Sequence, residues 1–120
     1  MPAVEIKTNV TVADPKAFVK EFSKFSADTL GKPEAYIAIH LVQEQNLTFA
    51  GSFDPAFLLS ITSLDNLPAE NTEKFSKAFA TFIQEKLGVP HDRGYILFTD
   101  PGRANIGFQS TTFATIFGKQ

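Results

Sequence analysis

Cysteine is absent from the 120 residues of the chain. That removes disulfides, thiol redox chemistry and thiolate metal sites together. Neither sign of charge dominates: 11 Lys and Arg face 13 Asp and Glu, for a net charge of −2. There is thus no basic face to neutralise nucleic-acid phosphates and no polybasic handle for an anionic membrane. No stretch approaches the roughly 18 apolar residues of a membrane span. The first residues, MPAVEIKTNVTV, lack the basic region, apolar stretch and small-residue cleavage site of a signal peptide. The expected address is therefore cytosolic. The only histidines are His40, on a strand, and His91, in a turn. Their spacing makes no metal site, and no glycine-rich loop is present to cradle a phosphate. No metal or cofactor is expected. Asn9-Val10-Thr11 and Asn46-Leu47-Thr48 match the glycosylation sequon but read as chance without a secretion signal.

What is present is phenylalanine, thirteen of them beside two tyrosines and no tryptophan, in a chain that is 43% hydrophobic. That composition is globular, and the length suits a single domain over residues 1–120. A core this small leaves little surplus stability, so association with further copies would help. Spacing says more than number. Phe18, Phe22 and Phe25 recur as Phe75, Phe79 and Phe82, and Leu30, Gly31 and Pro33 recur as Leu87, Gly88 and Pro90, all at an offset of 57 residues. Six pairs at one offset mark two related halves.

Each half reads as strand, helix, strand. Ala3 to Thr8 alternates, with Val4 and Ile6 on one face, and Phe57 to Ser63 is its more apolar counterpart. In the first half Asp14 suits an N-cap and Pro15 the first helical position. Phe18, Phe22 and Phe25 then fall on one helix face, and Gly31 with Pro33 stops the helix. The second helix begins between Pro68 and Thr72, carries Phe75, Phe79 and Phe82, and stops at Gly88-Val89-Pro90. Tyr36 to Val42 and Gly94 to Thr99 follow the helices as strands. A crossover helix between two strands of one sheet makes them parallel. Asn105 to Gln109 and Thr112 to Phe117 read as short tail strands. The predicted fold is α+β: two β-α-β repeats, with a four-stranded mixed sheet carrying two helices on one face. The strands are apolar enough to call for cover on the other face too, and the same face of further copies supplies it.

Gly31-Lys32-Pro33 with Tyr36-Ile37-Ala38-Ile39-His40, Ala50-Gly51-Ser52 with Asp54-Pro55, Asp92-Arg93 with Tyr95-Ile96, and Asn105-Ile106-Gly107 with Ser110-Thr111-Thr112-Phe113-Ala114 occur in one order along the chain. In these stretches, from Pro2 to about Ala114, the sequence resembles the macrophage migration inhibitory factor and D-dopachrome tautomerase family. The resemblance implies a homotrimer whose three sheets form a central barrel, with sites between protomers. It also implies a cofactor-independent keto–enol tautomerase, an isomerase acting on phenylpyruvate-type α-keto acids or dopachrome-like analogues. Members of the family also act on receptors outside the cell. Export without a signal peptide and a cytokine-like role with vestigial or no catalysis are thus the alternative reading, and the sequence names no receptor.

Pro2 is the candidate catalytic residue. By itself a proline at position 2 merely begins a strand. If Met1 is removed, however, its nitrogen becomes a secondary amine. An ordinary chain-terminal amine titrates near 8, and an apolar pocket and a nearby cation both lower that value, which suits a general base near neutral pH. Lys32 reads alone as a solvated turn lysine. Its counterpart in the repeat is Val89, so the turn does not need a cation. The resemblance makes Lys32 the holder of a substrate carboxylate, with backbone groups at Ser63-Leu64 assisting. It makes Tyr36, Tyr95, Ile106, Phe108 and Phe113 pocket walls, with Tyr95 supplied to a neighbouring protomer. Each of these could equally be core or interface. Three departures from the mammalian cytokine matter. Leu97 replaces a substrate-contacting asparagine, Phe108 replaces a tryptophan, and Ala56-Phe57-Leu58-Leu59 replaces a Cys-x-x-Cys motif. The last excludes the thiol oxidoreductase activity attributed to that motif. Arg93 and Arg103, the only arginines, are not placed in the pocket by this reading. Dehalogenation or decarboxylation of an unsaturated acid, which needs such groups to activate water, therefore ranks last.

Overall fold

A computed structural model describes residues 1–118. Strand β1 (Pro2–Thr8) runs through helix α1 (Pro15–Leu30) to β2 (Ala38–Gln43). Strand β3 (Phe57–Ser63) runs through α2 (Ala69–Leu87) to β4 (Gly94–Thr99). The sheet order is β2-β1-β3-β4. Each β-α-β unit forms a parallel pair, and the two units join antiparallel through β1 and β3. The architecture is therefore α+β, a four-stranded mixed sheet with two main helices. Among the described residues no helix is long and apolar enough to cross a membrane.

Local chemistry accounts for the helix ends. The Ala17 N–H donates to the Asp14 carboxylate at 3.1 Å, and Pro15 occupies the first turn of α1, satisfying one orphan donor at a position where proline loses nothing. Both helices stop on a left-handed glycine, Gly31 at φ 68° and Gly88 at φ 71°, a conformation in which only glycine escapes a steric cost.

The aromatic triplets of the two helices meet. Phe22 and Phe79 are fully buried and lie 5.9 Å apart edge to face. Phe25 lies 5.2 Å from Phe79 and 4.3 Å from Phe82. Phe75 leaves this cluster for Phe98 of β4, at 6.4 Å. Beneath the rings sit Val4, Ile6, Phe57, Leu59 and Ile61, all no more than 2% exposed. Burying each ring contributes roughly 1.5–3 kcal/mol, and favourable ring pairs add about 0.5–1.5 kcal/mol.

The opposite sheet face is less apolar than the strands suggested. Leu58, Tyr95 and Leu97 share it with Glu5, Lys7 and His40, and Glu5 pairs there with His40 at 3.0 Å and Lys7 at 3.6 Å. The apolar count of the strands comes chiefly from the helix side.

Two elements differ from the sequence reading. Tyr36 lies not in a strand but in a 3₁₀ turn, Glu34–Tyr36, closed by its N–H on the Pro33 carbonyl at 3.0 Å. In the tail, a 3₁₀ turn at Arg103–Asn105 leads to β5 (Gly107–Phe108), which pairs only with β6 (Thr111–Thr112). Phe113–Phe117, expected as strand, forms a short helix, α3. Phe113 and Phe117, four residues apart, stack at 4.9 Å, which a helical turn permits and a strand forbids.

Replacing Phe79 by alanine should cost about 3–5 kcal/mol, read as a lower urea midpoint at unchanged m. Gly94→Ala should also lower that midpoint, because a Cβ there would strike the carbonyl oxygen and ring of Phe57. Lys24→Ala, which removes only a fully solvated ion pair with Asp28, should leave it in place.

Candidate active site

Strand β1 is an inner strand, so the start of the chain is held at one end of the sheet between β2 and β3. Pro2 is its first residue, paired with Ser63, the one strand position where a missing N–H is tolerated between neighbours. Its ring is fully buried. Around it opens a cleft of about 290 Å³. Met1, Pro2 and Ala3 line one side, Tyr36 and Ile37 come from the 3₁₀ turn, and Ile106, Phe108 and Phe113 come from the tail. The wall is aromatic: Tyr36 meets Phe108 edge to face at 6.0 Å, and Phe108 stacks on Phe113 at 5.6 Å. A larger hollow of about 500 Å³ runs along β2, but only the N-terminal cleft contains a chain amine.

That amine, carried here by Met1, is held below its ordinary value of 8.0, first by burial and second by the charge of Lys32. Both disfavour the ammonium form. Lys32 donates from Nζ to the Leu64 carbonyl at 3.3 Å, which places the cation on the flank of the amine. Val89, its counterpart in the second half, is instead fully buried.

The fold thus gathers Pro2, Tyr36, Ile106, Phe108 and Phe113 in one cleft; Lys32 and Leu64, bonded to each other, do not line it, and Lys32 reaches the amine through its charge. Tyr95 is elsewhere. It pairs with Leu58 while Pro2 pairs with Ser63, five residues further along β3, or roughly 17 Å at strand spacing. Its exposed ring lies 5.2 Å from Phe49, at a separate hollow of about 440 Å³. Leu97 sits on the open sheet face opposite Ser60, 50% exposed. Ala56, Phe57 and Leu59, in place of the thiol motif, are core.

Other residues gain a place that local spacing did not reveal. The Ser63 hydroxyl, beside Pro2, is buried without a hydrogen-bond partner among the described residues. The alternation of β3 places Ser63 on the buried face, and this was the available signal. Arg93 donates to the carbonyls of Phe49, Ser52, Asp54 and Pro55, fixing the loop that carries Phe49 to Tyr95. The Asn9 amide donates to Leu47, Phe53 and Asp54, so that amide is a loop tie. Sequence reasoning left both arginines without a place. Arg103 is bound to Asp65 at 2.9 Å, next to the Leu64 that meets Lys32.

Chemically, the arrangement offers a weakly basic amine in an apolar cleft, with a cation near enough to hold an anionic group. Such a pair can take a proton from a carbon acid while anchoring its carboxylate.

The family described as macrophage migration inhibitory factor (MIF) matches residues 1–114. The macrophage migration inhibitory factor of Rattus norvegicus is 36% identical over 115 residues, covering 95% of this chain and all of the relative. A solved homologue from Prochlorococcus marinus superposes with a TM-score of 0.86 at 32% identity, over 92% of this chain and 98% of the other. The factor from Trichinella spiralis gives a TM-score of 0.86 at 29% identity, over 92% and 99%. Sequence and backbone agree along nearly the whole length, and the chain belongs to the macrophage migration inhibitory factor family.

Proposed function

We propose that the chain, as a single domain with Met1 removed, is a cofactor-independent keto–enol tautomerase with the Pro2 amine as general base. The substrate is a small α-keto acid with an aromatic side chain, of the phenylpyruvate type, or a dopachrome-like analogue. Pro2 takes a proton from the carbon next to the carbonyl and returns it elsewhere on the conjugated system. Lys32 holds the carboxylate, the Leu64 backbone assists, and Tyr36, Ile106, Phe108 and Phe113 hold the ring and exclude water. The protein acts as a homotrimer in which Tyr95 serves the neighbouring cleft; its distance from Pro2 within one chain supports that division. The observation that carries the reading is the chain amine at an apolar cleft, depressed by burial and by Lys32.

A cytokine-like binding role is the second reading. Leu97 favours it, because an exposed apolar side chain occupies the position of a polar substrate contact. A phenylpyruvate tautomerase assay on protein whose mass proves a free Pro2 separates the two.

Retention of Met1, which turns the Pro2 nitrogen into an amide, should abolish tautomerisation while the oligomer persists in ultracentrifugation. The same holds for Pro2→Gly, with a loss of about 10²–10⁴-fold, the range of a general base. Full activity in protein with a blocked N-terminus would sink the mechanism.

The base must be unprotonated, so kcat/KM should climb with pH through the amine's depressed pKa and level off above it. Acidification should extinguish activity as the amine gains its proton. In Lys32→Ala the cation is gone and the rising limb should move to higher pH, because Lys32 is the second cause, after burial, that lowers the chain amine. KM should rise about tenfold, worth about 1.4 kcal/mol of lost anion binding. An unmoved limb in this variant would remove Lys32 from the tuning of the amine.

A further inference from the structure

The family match ends at Ala114, yet the helix that contains Ala114 runs on to Phe117 and is tied to the cleft. The wall residues Ile106 and Phe108 belong to no strand of the main sheet. Phe108 lies in the β5–β6 hairpin, two residues per strand, and Ile106 directly precedes it; an isolated hairpin of that size is marginal in water. Its turn is costly as well. Gln109 and Ser110 both adopt left-handed φ values of 53° and 65°, a strained conformation for residues with a Cβ. Something outside the hairpin must hold the wall.

Phe117 stacks on Phe113 at 4.9 Å and 28°, continuing the ladder Tyr36–Phe108–Phe113 out of the cleft. Arg103 fixes the end of that ladder. Its Nη1 donates to the Phe117 and Gly118 carbonyls at 2.9 Å each, which α3 leaves without helical partners. Its guanidinium lies 5.7 Å from the centre of the Phe117 ring. Its Nε donates to Asp65 at 2.9 Å, with the arginine side chain 19% exposed. Asp65 is itself in the left-handed region at φ 63°, and its N–H is held by Asp100 at 3.0 Å. It directly follows Leu64, the acceptor of Lys32.

We propose that Arg103 and Phe117 form a brace that fixes both flanks of the cleft, the aromatic wall through Phe113 and the Lys32–Leu64 corner through Asp65. They are positioning residues for the site, and in that part the proposal rests on the tautomerase reading above.

The test combines amide hydrogen exchange with kinetics on Met1-free Phe117→Ala, Arg103→Met and Arg103→Lys. Exchange across Gly107–Thr112 should quicken about tenfold or more in the first two variants while β1 and β3 keep their protection. KM for phenylpyruvate should rise about five- to tenfold with kcat within about twofold, the mark of lost binding rather than lost chemistry. Arg103→Lys, which keeps a cation but not the fork of donors, should fall between. Unchanged exchange in the hairpin overturns the brace, and so does equal quickening in β1 and β3, which would report general loss of stability. A loosened hairpin with an unchanged KM overturns the positioning role. A wild-type protein with free Pro2 and no tautomerase activity overturns the reading of function; the brace then stands or falls on hairpin exchange alone.

Discussion

The whole site depends on β1 being an inner strand. A chain terminus is ordinarily the least ordered part of a domain. Here the first residues are paired on both sides, Ala3 with Ala38 and Thr62, and Pro2 with Ser63. The pairing removes the freedom that would let the amine drift out of the cleft, and it buries the proline ring without leaving a ladder bond unmade. Lys32 reaches the same corner because α1 must return the chain to lay β2 parallel to β1. The crossover therefore ends beside the strand's beginning. Amine and cation are neighbours as a consequence of topology, although 30 residues separate them.

Burial and charge act on that amine in the same direction, and they do so at different cost. Burial penalises any charge placed there, including the carboxylate of an acidic ligand. A cation on the flank penalises only the ammonium and favours the carboxylate. A cleft that depressed an amine by burial alone would repel an anionic ligand. Lys32 offsets that, and its bond to the Leu64 carbonyl keeps the ammonium partly solvated by the backbone rather than stranded.

Much of this could be read from the residues. The offset of the Phe triplets located both helices and the faces on which they meet, and β3 and β4 have the limits that their places in the repeat indicated. That Pro2 and the aromatic residues share one cleft was legible through the resemblance of motifs rather than through any single spacing. What escaped has a common physical cause. Tyr36 to Val42 is a short apolar run, in which periodicity does not separate strand from turn, and the 3₁₀ turn was decided by bonds to Pro33 and Glu34. Thr112 to Phe117 is rich in β-branched and aromatic residues, yet its helix is set by ring stacking and by Arg103. The polar loop around Phe49 is fixed by Asn9 and Arg93 from some 40 residues away. Long-range side-chain bonds to backbone carbonyls carry no local signature.

Both ends of the sheet carry a hollow, the second lined by Phe49, Phe57 and Tyr95, but only the first holds a chain amine. The halves are nearly equivalent, so β1 begins at Pro2 where β3 begins at Phe57, and Lys32 stands where Val89 does. At the second end Phe57 and Val89 are buried in the core, and the Thr8 hydroxyl donates to the Ala56 carbonyl at 2.8 Å, closing the join. At the first end the matching hydroxyl, Ser63, has no partner among the described residues. The hydrophobic partner is a proline rather than a phenylalanine, and the turn residue is a cation rather than a valine. An amine in place of a packed ring gives the first hollow a group that can exchange a proton. One scaffold, duplicated, thus differs at its two ends in chemistry: a buried phenylalanine and valine at one, a chain terminus with a flanking cation at the other.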